Sequence, residues 1–438
     1  MRWMVRAAGW LALAGTMALA ACGGNSSDDG NAQLRLLNAT NGYPTTTAGY
    51  ATLDLYIDGA RQSSNSGLAY GTPGSYQGVS TSDSRLTVIT AGGQTTALSS
   101  SSRSFTKDTS YTLIAYGWAG ALKTALLEEN TDAADSGKSK LTVLNLASDA
   151  GSVDVYVMGT ADSLDSATPL ASGVAGGSSV SSLNPGVGTF RVVVTAANDK
   201  SDVRLDATGL TLASTQVGTL MLTSGSGGTL VNALMAVQKG TVTALNNTKA
   251  RARVVGSVSG NGKVTLQTMG ATLAAAATSP SIGNYTLIDG STSAPVTVSV
   301  NGTAVAVANQ ALVAGGDYTL MVWGDASAPQ FTLVTDDNRL PSVTSNAKLR
   351  LVHGVAGLSA PLTLAADFSA VASSVAQGQA SAWANVTAST SMRLEVTSPL
   401  TSTPLWTLTD ATISAKGLYT VFMLGDSSAP QAVLRKDR

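Results

Sequence analysis

Only one cysteine and one histidine occur in this chain of 438 residues, Cys22 and His353. These two residue types often act as nucleophile, general base or metal ligand. A histidine-based triad would have to use His353, and a zinc site needs three or four Cys, His or carboxylate ligands. The sequence therefore predicts no catalytic residues, no zinc centre and no cofactor, and we expect a protein that is not an enzyme.

Cys22 follows a segment with the organisation of an export signal. Arg2 and Arg6 precede an apolar run, residues 7–21, which ends in small side chains. A positive start, an apolar stretch and small residues at its end are typical of a secretory signal peptide. The run is shorter than the roughly 20 apolar residues of a membrane-spanning helix. We therefore predict a signal peptide over residues 1–21 and no membrane span later in the chain.

The residues before Cys22, Leu-Ala-Ala at 19–21, resemble the lipobox of bacterial lipoproteins. The resemblance implies that the thiol of Cys22 receives a diacylglycerol, that the chain is cut before Cys22, and that the new amine is acylated. Each buried methylene adds about 0.8 kcal/mol of membrane affinity, so several acyl chains hold a protein firmly. The alternatives are an ordinary signal peptide with an incidental cysteine, and a buried helix that is not cleaved.

Residues 22–32 contain small, polar and acidic side chains. Such a segment cannot bury enough surface to fold, so it predicts a flexible tether. Gly23 resembles the sorting pattern for the outer membrane in Gram-negative lipoproteins. We therefore expect a bacterial cell-envelope protein whose partner is membrane lipid, reached through acylated Cys22; the sequence leaves open which face of the outer membrane it occupies.

The composition argues against a nucleic-acid-binding protein. The chain has 26 Lys and Arg against 27 Asp and Glu, so there is no basic excess to attract a polyanion. Only 12% of the residues are charged and 44% are hydrophobic, which argues against a disordered chain. The length is too great for one ordinary core, so several domains are expected.

Two short phrases recur at intervals of about 100 residues. One phrase has a glycine at or next to its end. It occurs as YTLIAYG, GTLMLTSG, YTLMVWGD and YTVFMLGD, with the glycine at 117, 225, 324 and 425. An opening phrase precedes each copy, as LRLLNAT from Leu34, LTVLNLAS from Leu141, ARVVGSVS from Ala252 and LRLVHGVAG from Leu349. A period of this length indicates a repeated domain rather than a solenoid.

Each period contains short β-type runs separated by Gly, Ser, Asn and Pro clusters. In the first period we predict strands near residues 34–38, 52–58, 76–80, 85–90, 94–98, 111–116 and 122–127. About seven short strands in about 100 residues favour an immunoglobulin-like Greek-key β-sandwich. We therefore predict an all-β chain of four tandem sandwiches, called units 1 to 4, over residues 33–137, 138–246, 247–345 and 346–438.

The glycine-closed phrase predicts contact between units. Tyr318, Leu320 and Val322 lie on one face of its strand, and Met321 and Trp323 lie on the other. A strand with one face in water alternates apolar and polar residues, so we expect a neighbouring unit to cover the second face. The alternative is an exposed apolar stripe that binds a partner.

The opening phrases, the VDVYV strand from Val153 and the YTLMVWGD strand together resemble domain-of-unknown-function family 4397. The resemblance implies an immunoglobulin-like β-sandwich in a bacterial secreted or lipid-anchored protein. It implies no established catalytic activity. The resemblance is good over residues 33–130 and 139–236, and it is weaker in units 3 and 4.

His353 stands at a position of the opening phrase where the other units have Asn38, Asn145 and Gly256. The family often carries a histidine there, and only unit 4 keeps it. Asparagine and glycine are typical of turns, so a turn or cap role for His353 is favoured over catalysis.

Acidic pairs follow the last predicted strand of units 1 and 3: Glu128 with Glu129, and Asp336 with Asp337. Ca²⁺ takes roughly six to eight oxygen ligands, so these four residues are candidate calcium ligands that would stiffen the junctions. A solvated hinge is the interpretation that we favour.

These features favour a non-catalytic role in binding, scaffolding or spacing at the cell envelope, with an envelope protein or a glycan as the partner. The alternatives are a surface adhesin or glycan-binding module, and an envelope hydrolase with an unrecognised site. Trp118, Trp383 and Trp406 could stack on sugars, but isolated tryptophans in sandwiches more often lie in the core. We therefore predict no carbohydrate site.

Overall fold

The computed structural model describes residues 31–40, 52–91, 98–118 and 121–438. Cys22, the predicted signal peptide and residues 22–30 of the predicted tether lie outside this part. Within it, the regular structure is β-strand apart from three short 3-10 turns: Ser63–Asn65, Ser148–Ala150 and Ser259–Asn261. The predicted all-β fold class is confirmed. In the described residues no helix is long and apolar enough to cross a bilayer.

Unit 1 consists of two four-stranded sheets, in the orders β4-β1-β7-β8 and β3-β2-β5-β6. Its strands are β1 (Ala32–Asn38), β2 (Leu53–Ile57), β3 (Ala60–Arg61), β4 (Gln77–Val79), β5 (Ser84–Thr90), β6 (Ser99–Arg103), β7 (Ser110–Trp118) and β8 (Ala121–Glu128). The strand predicted near 94–98 is instead β6, which follows it; residues 94–97 lie outside the described part.

Unit 2 has a five-stranded sheet, β12-β9-β15-β16-β17, and a four-stranded sheet, β11-β10-β13-β14. Its strands are β9 (Lys140–Asn145), β10 (Val153–Met158), β11 (Ala171–Val174), β12 (Ser179–Leu183), β13 (Gly188–Ala196), β14 (Asp199–Leu212), β15 (Val217–Ser224), β16 (Val231–Val237) and β17 (Val242–Leu245).

Unit 3 has one sheet in the order β21-β18-β27-β28, with β22 also on β18, a second in the order β20-β19-β24-β25, and a small β23-β26 pair. Its strands are β18 (Lys249–Val258), β19 (Lys263–Thr268), β20 (Ala271–Thr278), β21 (Ser281–Ile282), β22 (Thr286–Asp289), β23 (Ser291–Ala294), β24 (Val296–Val300), β25 (Thr303–Val305), β26 (Gln310–Leu312), β27 (Asp317–Asp325) and β28 (Ala328–Asp336).

Unit 4 repeats this plan, with β32-β29-β36-β37 plus β33 on β29, and β31-β30-β34-β35. Its strands are β29 (Asn346–His353), β30 (Leu362–Ala366), β31 (Ser369–Val375), β32 (Gln379–Ala380), β33 (Ala384–Thr387), β34 (Ser389–Thr397), β35 (Trp406–Ile413), β36 (Leu418–Asp426) and β37 (Ala429–Lys436).

Each unit buries an apolar cluster of its own between its two sheets. Leu36, Val143, Val254 and Leu351 represent the four clusters, and each cluster takes its residues from one unit. Burial of these side chains supplies the main favourable free energy of each sandwich. The residue boundaries between the units stay predictions.

In every unit the opening strand lies parallel to the strand of the glycine-closed phrase. The pairs are β1 with β7, β9 with β15, β18 with β27, and β29 with β36. Parallel pairs usually occur in sheets that are covered on both faces. We call the sheet that contains this pair the interface sheet of its unit.

The second face of each interface sheet is covered by a neighbouring unit, as predicted. Leu37 and Ile114 of unit 1 pack with Met221 of unit 2. Val255 and Met321 of unit 3 pack with Val352, Phe422 and Leu424 of unit 4. The four units therefore associate as two pairs, unit 1 with unit 2 and unit 3 with unit 4.

Candidate functional site

His353 caps a turn, as its repeat position predicts. The backbone N–H of Val355 donates to its Nδ1 at 3.3 Å, and Nε2 lies 3.2 Å from the carbonyl oxygen of Ala360. Asn38 and Asn145 accept in the same way from the backbone N–H two residues on, at 2.9 and 3.0 Å. Burial lowers the pKa of His353, which favours the neutral ring.

The two acidic pairs proposed as calcium ligands, one at each junction, each contain one buried and one more accessible residue. Glu129 and Asp336 are only 2% and 1% exposed, so the solvated-hinge interpretation is wrong for these two residues. Glu128 is exposed, and Asp337 pairs with Arg339 at 2.6 Å. Among the described residues no group of three or more His, Cys, Asp and Glu is placed to hold a metal ion. Calcium binding stays a prediction without a coordination site.

Trp118 and Trp383 belong to none of the apolar core clusters of the units, so the core prediction is wrong for them. Trp118 donates from Nε1 to Asp149 of unit 2, and Trp383 lies against Arg350. Trp406 is partly buried against the unit 4 core, as predicted.

The interface between units 3 and 4 contains a buried network of two arginines and two aspartates that crosses between the units. Arg253 of unit 3 pairs with Asp437 of unit 4, with Nη1 and Oδ1 2.5 Å apart. Arg350 of unit 4 pairs with Asp336 of unit 3, with Nη1 and Oδ1 2.7 Å apart. All four side chains are at most 3% exposed. Each unit therefore supplies a cation to the other and receives one in return.

Threonine hydroxyls join these ions within each unit. Arg253 and Arg350 donate from Nε to Thr319 and Thr420, both at 2.9 Å. Thr319 then donates to Asp336 at 2.6 Å. In both units the parallel register places arginine directly opposite threonine. The opening strand and the glycine-closed strand together thus position the network.

An aromatic ring covers each arginine. The Arg253 guanidinium carbon lies 4.6 Å from the centre of the Tyr285 ring, and that of Arg350 lies 4.3 Å from the Trp383 ring. Tyr285 also donates to Asp336 at 2.7 Å. Burial would raise the pKa of Asp336, but Arg350 and Arg253, with the hydroxyls of Thr319 and Tyr285, hold it below its usual value.

Unit 1 carries the same set of side chains at the same positions. Arg35 donates to Thr112 at 2.8 Å, lies 4.5 Å from the Tyr76 ring, and pairs with Glu129 at 3.2 Å. Across the interface, Arg35 donates to the carbonyl oxygen of Gly240 at 2.7 Å, and Lys239 N–H donates to Glu129. Backbone groups of unit 2 thus meet the ions of unit 1.

Unit 2 lacks three of the four side chains. Its Thr219 is kept opposite Thr142, which stands where the other units have arginine. Ser182 replaces the aromatic residue, because the residue after it, Leu183, pairs with Leu141 as Thr286 pairs with Ala252. Gln238 lies two residues beyond the partner of Thr219, where the other units have a carboxylate.

A cavity of about 390 Å³ lies where these side chains are missing. Thr142, Ser182, Thr219 and Gln238 all line it, together with Glu129 of unit 1. Thr142 and Ser182 are smaller than the arginine and the aromatic ring that fill this space in the other pair. This cavity is the candidate binding site of the described residues.

A polar junction connects the two pairs of units. Gly227 N–H donates to the Gly315 carbonyl at 2.7 Å, and Arg251 donates to Thr229 at 2.8 Å and pairs with Asp317 at 2.6 Å. A Cβ on Gly227 or Gly228 would lie within 2.7 Å of backbone atoms across the junction. The two pairs therefore contact each other closely at this point.

The sequence contained a signal for the network that our interpretation missed. Arginine follows the first residue of the opening phrase in units 1, 3 and 4, and an acid follows the phrase threonine after 17 residues in each of them. The pattern is absent from unit 2, where Thr142 replaces the arginine and Ala236 follows Thr219 after 17 residues. The pattern does not show that these residues form an interface, because that depends on which units contact each other.

Residues 32–156 match a known protein family, described as Domain of unknown function (DUF4397). The resemblance to this family is confirmed over these residues. The DUF4397 match covers unit 1 and extends into the second opening phrase and the VDVY strand of unit 2. The network of Arg35, Thr112 and Glu129 and the covered face of β1 thus lie within it. The description supplies no activity.

Other comparisons add no functional information. No curated protein matches the chain. One solved structure with similarity is a "Product complex of a multi-modular glycogen-degrading pneumococcal virulence factor SpuA", at 9% sequence identity and a TM-score of 0.17. The match covers 86% of this chain and 37% of that one, so the chain spans little more than a third of its length.

Proposed function

We propose that this chain is a lipid-anchored protein of the bacterial cell envelope whose four units form a non-catalytic scaffold or spacer that binds a partner. The observation that supports the scaffold is that the interface sheets pack against each other in both pairs of units. Buried apolar and ionic contacts join unit 1 to unit 2 and unit 3 to unit 4, and the polar junction joins the pairs. Contacts of this kind restrict motion between neighbouring units.

The anchor is supported by the sequence around Cys22. Growth with an alkyne-tagged fatty acid, followed by fractionation of the envelope, tests it. The wild-type chain should carry the tag and sediment with the membranes, whereas Cys22→Ser should carry none and should not be cleaved before residue 22. Asn25→Ser, three residues on, is the control and should behave as the wild type. An untagged, soluble wild-type chain contradicts the proposal.

Partners are sought with the same cells. Cross-linking at the surface and in the periplasm, followed by purification of the tagged chain, distinguishes an envelope protein from a glycan. Protease treatment of intact cells reports which face of the outer membrane carries the units. Recovery of a cleaved glycan or peptide product would instead support the hydrolase alternative.

A further inference from the structure

The cavity between units 1 and 2 corresponds, residue by residue, to the place of a guanidinium group in the other pair. Arg350 there contacts Thr420 and Asp336, and Asp437 lies 3.6 Å from its Nη2. The equivalents of these three contact residues are Thr219, Glu129 and Gln238, and all three line the cavity. The surroundings of the cation are largely retained, and the cation itself is replaced by Thr142.

We propose that this cavity binds a guanidinium group, carried either by a small molecule or by an arginine side chain of a peptide. The hydroxyl of Thr219 stands at the position that accepts from Nε in units 1, 3 and 4. Glu128 supplies a carboxylate at the exposed side of the cavity. Glu129 supplies a second one, whose oxygens already accept from Arg35, Thr112, Tyr76 and the backbone N–H of Lys239. A guanidinium is planar and weakly hydrated, so it enters partly buried sites of this kind more readily than an ammonium does.

The lining of the cavity carries two carboxylates and one ammonium. The ammonium belongs to Lys140, which donates to the carbonyl oxygen of Asp132 at 2.9 Å. Arg35 pairs with Glu129 and neutralises that carboxylate, which leaves Glu128 and Lys140 as the other charged groups of the lining. The hydroxyls of the remaining polar lining can accept hydrogen bonds from a guanidinium. Both polar atoms of the Gln238 amide bond to the backbone of Thr131.

Size and access also suit a ligand. The volume of about 390 Å³ falls within the range of roughly 300–1,000 Å³ that small-molecule pockets occupy. Ser181, Ser182 and Asn184 line the cavity and are exposed, so a ligand can enter from solvent. Ser182 replaces an aromatic ring, which leaves room for the part of the ligand that carries the guanidinium.

Isothermal titration of the full chain with N-propylguanidinium tests the proposal. N-propylurea has nearly the same shape without the charge, and it should bind at least about tenfold more weakly, which is 1.4 kcal/mol. Thr142→Arg restores the residue of the other units, so its own guanidinium should fill the cavity and weaken binding by about tenfold or more. Equal binding of the urea, unchanged binding to Thr142→Arg, or no binding of any guanidine overturns the proposal.

A second variant covers the case in which Thr142→Arg fails to fold. Thr219→Val keeps the shape of the side chain and removes its hydroxyl, so N-propylguanidinium should bind several-fold more weakly. Thr319→Val, at the equivalent position of unit 3, should leave binding unchanged. Titration with arginine amide and with a short peptide that has a central arginine then separates the two sources: the tighter ligand identifies the source, and failure of both overturns the proposal.

Discussion

The two pairs of units use one interface with different polar chemistry. In both, the parallel strands place equivalent apolar residues at the contact: Leu37 beside Ile114 in unit 1, and Val255 beside Met321 in unit 3. Units 3 and 4 add two arginine–aspartate pairs that cross the interface, whereas units 1 and 2 keep one arginine–glutamate pair within unit 1. The apolar contact is thus common to both pairs, and the ion network is not.

This difference separates two contributions to the contact. Burial of apolar surface is non-directional and stabilises any close approach. Buried ion pairs add little net stability but are costly to break, because one removed partner leaves an uncompensated charge. We therefore expect the crossed network of units 3 and 4 to select which surfaces meet and in which register, whereas unit 2 lacks these side chains and has a cavity there.

The largest expected effect comes from breaking the crossed network. Arg350→Met leaves Asp336 buried without its ion partner, so we expect a loss of about 3–5 kcal/mol of unfolding free energy. Urea-induced unfolding, followed by tryptophan emission, measures it, since Trp383 lies against Arg350. Thr142→Met, at the equivalent position of unit 2, is the matched control and should change stability by less than about 1 kcal/mol. Equal losses in both variants would mean that the network adds nothing.

A smaller effect is expected from the apolar contact of the other pair. Met221 is fully buried between units 1 and 2, so Met221→Ala should cost about 2–4 kcal/mol. Met321→Ala, at the same position of unit 3, removes the same atoms but leaves the crossed ions in place. Limited proteolysis between the paired units should therefore accelerate more in Met221→Ala than in Met321→Ala. The reverse order contradicts the view that units 1 and 2 depend mainly on apolar contact.

The polar junction between the two pairs can be weakened by a single substitution at Gly228. Gly228 has a φ of +88°, and an added Cβ would lie 2.7 Å from the backbone nitrogen of Arg339. Gly228→Ala should therefore lower the free energy of unfolding by about 1–3 kcal/mol and loosen the contact between the pairs. Small-angle X-ray scattering should show this as a larger radius of gyration. Gly270→Ala is the control, because φ is +76° there and no atom lies within 4 Å of the added Cβ. Gly270→Ala introduces the backbone strain without a clash. An equal increase in its radius of gyration would therefore exclude the clash of the Gly228→Ala Cβ with Arg339 as the cause.

Much of the architecture was predictable because it depends on repeats and on the alternation of side chains along single strands. The spacing of the glycine-closed phrases predicts four units, and the two apolar faces of the strand around Met321 predict its cover. Asn38, Asn145 and His353 share a cap role because each can accept from the backbone two residues on.

The interface chemistry was not predictable in the same way. The partner of Asp336 is Arg350, on an opening strand of the next unit, and no local pattern indicates which unit covers which. Acids after a last strand are typical of solvated hinges, but Glu129 and Asp336 are buried and contact groups of the neighbouring unit. Trp383 likewise lies against Arg350 of the ion network and outside the apolar core of unit 4. The cavity lies where unit 2 has Thr142 and Ser182 in place of an arginine and an aromatic residue. The sequence alone does not show that these positions face another unit.

The smallest expected effect concerns the cap position, where the pair of units 1 and 2 has two asparagines and the other pair has His353 and Gly256. Because burial lowers the pKa of His353 in the folded chain, the unfolded chain binds the proton more readily. The stabilisation is fully present above the unfolded pKa, about 6.5, and is lost as the pH falls toward the lower folded pKa. His353→Asn keeps an acceptor for the backbone N–H of Val355 and removes the titrating ring. Stability at pH 8 should change by less than about 1 kcal/mol, and the decline of the wild-type melting temperature below pH 6.5 should become shallower in the variant.

The control is Asn145→Ala, which loses the equivalent cap without changing any charge. It should lower the melting temperature by the same amount at pH 8 and below pH 6.5. If His353→Asn and the wild type lose stability in parallel as the pH falls, the ring does not titrate on unfolding and acts only as a neutral cap.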